Sequence, residues 1–119
     1  PPRSTLFPYT TLFRSVGNTT GTERDKFAAY GLHTFQGEYT DAPLLEGCVA
    51  WLECRLLPEP HNQQTYDLFL GELVAAYADE RVFSDGRWHF EGFDELRTLH
   101  HVAGGHFLTI GQPIDGHQL

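Results

Sequence analysis

The sequence predicts one mainly β domain with one or two short helices, and three observations carry that expectation. Cys48, Ala50, Leu52, Cys54 and Leu56 alternate with the mixed set Val49, Trp51, Glu53, Arg55 and Leu57, the period-two pattern of a strand with one face in a core. After a polar break, Leu68–Ala78 puts Leu68, Leu70, Val74 and Ala76 on one face and Phe69, Leu73, Ala75 and Tyr77 on the other, a strand covered on both sides. Asp85-Gly86 within FSDGRW is a tight-turn pair. A buried helix over Leu68–Ala78 is the rival reading; Gly71 and the β-branched and aromatic content argue against it.

Composition sets the bounds. A chain of 119 residues suffices for one domain and one core, and 40% hydrophobic with 20% charged residues is ordinary globular composition. No apolar run reaches transmembrane length and no charged-then-apolar leader is read, so no membrane is expected; the expected cytoplasmic setting comes from the two cysteines, which read as reduced. A formal net charge of -8 argues against nucleic acid as a partner, because phosphate backbones need a basic surface. Cys48 and Cys54 share one strand face, roughly 20 Å apart, which is too far for a disulfide. Both read as reduced core residues, and the pair matches no zinc spacing.

Taken in order, residues 1–15 (PPRSTLFPYTTLFRS) carry no usable period. They are what translation of a common short-read sequencing adapter yields, residue for residue, and the chain contains no methionine. The expectation is a non-native segment over 1–15, followed by 16–119 as the C-terminal part of a domain cut at its 5′ end. Thr22, with Asp25 three residues on, reads as the N-cap of a short helix that carries Phe27 and Tyr30 and ends at Gly31. His33–Thr40 reads as a short extended piece. APLLEGC reads as a short helical piece from Pro43, with Leu44 and Leu45 turned inward. PEPHNQQT, between the two long strands, reads as an aperiodic turn. FDELRTL suits one or two helical turns, and HHVAGGHFLTI suits a glycine-hinged loop leading into a last strand, Phe107–Ile110, that Pro113 ends.

Thr19, Thr20, Gly21, Thr22 and Lys26 collect hydroxyls, bare backbone and an ammonium before a helix N-terminus, the donor set of a phosphate cradle. A capped surface helix is the competing reading. His100, His101 and His106 lie within seven residues but match no common metal spacing, so surface or interface histidines are favoured over a metal site. No Ser-His-Asp or Cys-His pattern points to a nucleophile.

Five segments recur in a familiar order: Gly21–Phe27 ending in DKF, Ala42–Cys48, Leu52–Leu56 (LECRL), Tyr66–Val74 (YDLFLGELV) and Gly104–Gly111. Together they resemble the flavin reductase-like family of FMN-binding split β-barrels, especially its flavoredoxin branch. The resemblance spans nearly all of Val16–Ile114 and matches the C-terminal part of the family only. It implies a partial, Greek-key-like split barrel, FMN as cofactor, a nicotinamide nucleotide as partner and a homodimer. It places Thr20, Gly21 and Lys26 at the FMN phosphate. Tyr66 stands where flavoredoxin-like members often carry a His near the flavin, and His101 lies in the glycine-rich loop by the cofactor. In such a flavoprotein the flavin carries the redox chemistry and the protein positions it. The strands preceding the DKF helix in the family are replaced by residues 1–15, so the isolated chain is expected to expose sheet edges and to bind FMN poorly. Alternatives are a non-catalytic small β-barrel that binds or dimerises, and a His-rich metal-binding domain.

Overall fold

The computed structural model describes residues 6–117; the first five residues of the adapter-like segment lie outside that range. The described residues are mainly β, with four antiparallel hairpins and three short helices. The hairpins do not close into a barrel: each forms its own two-stranded sheet. The radius of gyration is 17.1 Å, against about 13–14 Å expected for a compact domain of this length.

Helix α1 covers Leu6–Gly17, where the sequence showed no usable period. Leu12 and Val16 lie one turn apart on its half-buried side, and Arg14 in the last turn complements the helix dipole. Helix α2, Lys26–Tyr30, is one residue group later than expected, because its N-cap is Asp25 and not Thr22. The Asp25 carboxylate accepts from the amides of Phe27 (3.0 Å) and Ala28 (3.3 Å). Gly31 closes α2 in the left-handed conformation at φ 62°, as the sequence led us to expect.

Strand β1 (Thr34–Gln36) pairs with β2 (Pro43–Leu45). The second of these corrects the short helix expected from Pro43: β2 is an extended strand, and its proline stands at the strand's first position, where a missing N–H is tolerated. Leu44 is buried, as its inward orientation required. Strands β3 (Ala50–Leu57) and β4 (Leu70–Ala78) form the longest hairpin. Between them the expected aperiodic turn is instead helix α3, Pro60–Tyr66, with Pro60 in the first turn and Asp67 closing it at φ 52°.

A bulge resets the faces of this hairpin. Glu53 pairs with Ala75 but Cys54 pairs with Leu73, leaving Val74 as the extra residue. Strict alternation along β4 therefore fails, and Ala76 shares a face with Leu73, not with Val74. One face gathers Ala50, Leu52, Cys54, Leu56, Gly71, Leu73, Ala76 and Ala78, all apolar. That face was expected in a core, yet it is open: Leu52 is 63%, Leu56 52% and Leu73 55% exposed, and Cys54 is exposed. Nor is β4 covered on both sides. Packing instead uses the mixed face. Trp51 Nε1 donates to the Leu45 carbonyl at 2.7 Å, and its ring meets Phe35 edge-on at 5.6 Å, joining β1–β2 to β3.

Strands β5 (Phe83–Ser84) and β6 (Arg87–Trp88) flank the Asp85-Gly86 turn, both of whose residues have positive φ, at 51° and 72°. Among the described residues, Val82, Phe90 and Leu44 are the buried hydrophobic ones. Asp94–Leu96 forms a single 3-10 turn. The expected glycine-hinged loop is a full hairpin, β7 (Leu99–Ala103) with β8 (His106–Thr109), turning at Gly104-Gly105. No described helix is long and apolar enough to cross a membrane.

Candidate functional site

Residues 17–27 join α1 to α2 and form two adjoining open hollows. One, of about 530 Å³, is lined by the continuous stretch Gly21–Phe27; the other, of about 740 Å³, by Gly17–Thr20 with Glu23 and Arg24. The loop is held by the end of α1. Tyr30 Oη donates to the Ser15 carbonyl at 3.1 Å, and Thr19 Oγ1 lies 3.2 Å from Tyr30 Oη. Lys26 Nζ donates to the Val16 carbonyl at 2.9 Å. These side chains occupy carbonyls that every helix C-terminus leaves without an internal partner.

Three of the expected site residues come together here. Thr20 is exposed, and its hydroxyl lies 2.9 Å from Thr22 Oγ1 while accepting from the Thr22 amide at 3.3 Å. Nothing lies within 4 Å of where a Cβ on Gly21 would stand, so its backbone faces open space. Lys26 is half-buried with one donor on Val16, and an ammonium has three. The acidic neighbours do not cancel this set evenly, since the Asp25 carboxylate is turned to the α2 amides. Arg24, which the sequence reading passed over, borders both hollows and stands over the Tyr30 ring at 5.6 Å. The only signal for it was a second cation two residues before Lys26.

Tyr66 and His101 line neither hollow. Tyr66 ends α3, is 67% exposed, and meets His61 edge-on at 5.8 Å. His101 is exposed on β7; its Nε2 lies 3.0 Å from the Gly104 carbonyl and its ring tilts against Phe107 at 5.0 Å. Among the described residues no three His, Cys, Asp or Glu side chains converge to hold a metal ion. A more apolar hollow of about 440 Å³ lies between α1, the segment Leu45–Ala50 and Glu95–Leu99. Cys48 borders it, and burial pushes its thiol up from the ordinary range.

A buried polar cluster lies elsewhere, around Glu53. Glu53 is 1% exposed in the middle of β3. Its Oε1 accepts from the amides of Tyr39 and Thr40, both at 3.0 Å, and from Thr40 Oγ1 at 3.2 Å. Its Oε2 accepts from Tyr77 Oη at 2.6 Å and the Glu38 amide at 3.2 Å. Donation from Tyr77, with the three amides adding to it against the cost of burial, holds the carboxyl down at about 2. The same bond pushes the Tyr77 phenol up to about 12. In the sequence Glu53 falls on the mixed face of its strand, with no sign there that it is buried. The signal available was a Tyr two strand-lengths away, which becomes informative only once the register is known.

Comparison with known proteins agrees with the fold. The model of the flavin reductase like domain matches residues 9–97. YddH of Escherichia coli K12 is 46% identical over 101 residues, covering 84% of this chain and 53% of its own. A crystal structure from Shewanella baltica OS155, described as an FMN-binding domain of a flavin reductases-like enzyme, superposes with TM-score 0.75 at 40% identity, covering 84% of this chain and 53% of that one. Flavoredoxin of Desulfovibrio vulgaris (Miyazaki F) shares the fold at TM-score 0.69 and 21% identity, covering 92% of this chain and 57% of its own. The chain thus spans about half the length of these relatives. Its mainly β architecture is that of a split barrel left open, and the chain belongs to the flavin reductase-like domain family.

Proposed function

We propose that this chain is part of an FMN-binding oxidoreductase of the flavin reductase type. It works as a cytoplasmic homodimer, either reducing FMN with a nicotinamide nucleotide or passing electrons through bound FMN. The observation that carries the reading is the 40% identity and TM-score of 0.75 to a protein described as FMN-binding, together with a hydroxyl, an open glycine backbone and an ammonium on one loop.

The donor set of that loop fits a phosphate dianion. Thr20 offers a hydroxyl, Gly21 lets an anion approach the main chain without a Cβ in the way, and Lys26 supplies charge with the donors not used on Val16. Arg24 adds a second cation at the rim. Tyr66 and His101 are assigned to the flavin edge on the strength of the family resemblance. When bound, FMN supplies the two-electron chemistry, and the chain's part is to hold and orient it.

The isolated 119-residue chain binds FMN poorly in this reading; micromolar affinity in a flavin-fluorescence titration would refute that part. The function itself is tested by fusing residues 16–119 to the portion of YddH that this chain lacks. The expected product shows flavin absorbance near 450 nm and oxidises NADH or NADPH in the presence of FMN. A folded fusion that takes up no flavin overturns the proposal, and one that binds flavin without turnover reduces it to a binding module.

A further inference from the structure

Glu53 is a buried anion with no cationic partner: among the described residues, none of the ion pairs includes it. It is held instead by five neutral donors, three on Oε1 and two on Oε2, three of them the consecutive amides of residues 38–40. Consecutive amides aimed at one point form an anion-binding concavity, and here the two oxygens are met separately, which suits a flat carboxylate better than a sphere such as chloride. The preceding residue is Gly37, and a Cβ there would collide with the carboxylate itself. The loop therefore approaches this group at a distance only glycine allows.

We propose that residues 38–40, with Tyr77, form a carboxylate-binding nest whose resident ligand, Glu53, is supplied in cis, and that the emptied nest takes up small free carboxylates. Glu53 is then a positioning residue. It pins the β1–β2 connection to β3–β4, and nothing in this assignment depends on flavin binding.

The atoms removed define the ligand that replaces them. Glu53→Ala deletes the equivalent of acetate, and Glu53→Gly deletes the equivalent of propionate. Thermal melts of the full chain and both variants in sodium acetate, propionate or chloride at matched ionic strength read the effect. Acetate should raise the melting temperature of E53A more than propionate does, and propionate should do better in E53G. Chloride should raise neither, and the unsubstituted chain should respond to none, because its own carboxylate fills the site at high effective concentration. With four heavy atoms in acetate and five in propionate, binding is weak, on the order of 1 mM or above, so each titration runs to ~200 mM. Where a variant is unfolded in chloride, recovery of its far-ultraviolet circular dichroism by the matching carboxylate is the same readout. No carboxylate-specific stabilisation or refolding in either variant, or an equal response from the unsubstituted chain, overturns the assignment.

Discussion

The loops at residues 20–26 and 38–40 both collect anion-binding groups, and they differ in what fills them. At 38–40 three amides, a threonine hydroxyl and a tyrosine hydroxyl converge on the chain's own Glu53, which is 1% exposed. At 20–26 a hydroxyl, a bare glycine and an ammonium border open space, and the ammonium spends one donor on a helix carbonyl. The contrast separates two uses of one chemistry. A cradle closed by a side chain fixes the fold, and a cradle left open is available to a ligand.

The largest effects are expected at the closed cradle. Glu53→Ala leaves five donors facing a void and should lower the melting temperature by more than about 10 °C. Gly37→Ala forces the loop off the carboxylate and should cost somewhat less, about 5–10 °C in the same scan, because the loop retains room to shift. Titration sharpens the same point. The Glu53 carboxyl is lowered from 4.5 to about 2 on folding, so its contribution is complete above 4.5 and is lost as pH falls from there towards 2. The Tyr77 phenol is raised from 10.0 to about 12, so its contribution is complete below 10 and is lost as pH rises towards 12. Urea melts across pH should show a plateau between these limits. Tyr77→Phe should lower the plateau, remove the alkaline loss and shrink the acid one, because the Tyr77 hydroxyl is the largest cause holding the Glu53 carboxyl down. At the open cradle the effects fall on ligand and leave the fold intact. In the YddH fusion, Lys26→Ala should weaken FMN about tenfold by titration, and Thr20→Ala about threefold, with melting temperatures of the flavin-free proteins unchanged within ~2 °C.

The sequence made the hairpins legible where local chemistry decides them. Asp85-Gly86 occupies positive φ, Gly31 closes its helix, and Ala50–Leu57 pairs with Leu70–Ala78. It did not reveal which face of that pair packs. Alternation tells two faces apart, but the bulge at Val74 shifts one strand against the other, and no local signal in LVAAY announces it. The burial of Glu53 was hidden for a related reason. A glutamate counts as outward until five donors from residues 38, 39, 40 and 77 are known to surround it, and those are fixed by tertiary pairing. Helix α3 was hidden because Pro58, Pro60 and Asn62 read as turn formers, although proline is welcome in a first helical turn. Of the site, the Thr20–Lys26 loop was legible as a run of donors. Tyr66 and His101 entered through family resemblance, and the described residues do not bring them to that loop.

Whether the open loop grips a phosphate is read from the fusion protein's affinity for FMN against riboflavin, since the two differ by that group alone. FMN should bind at least about tenfold more tightly, and Lys26→Ala should erase most of the difference while leaving riboflavin affinity unchanged. Equal affinity for the two flavins, or an FMN preference that Lys26→Ala does not touch, would contradict it.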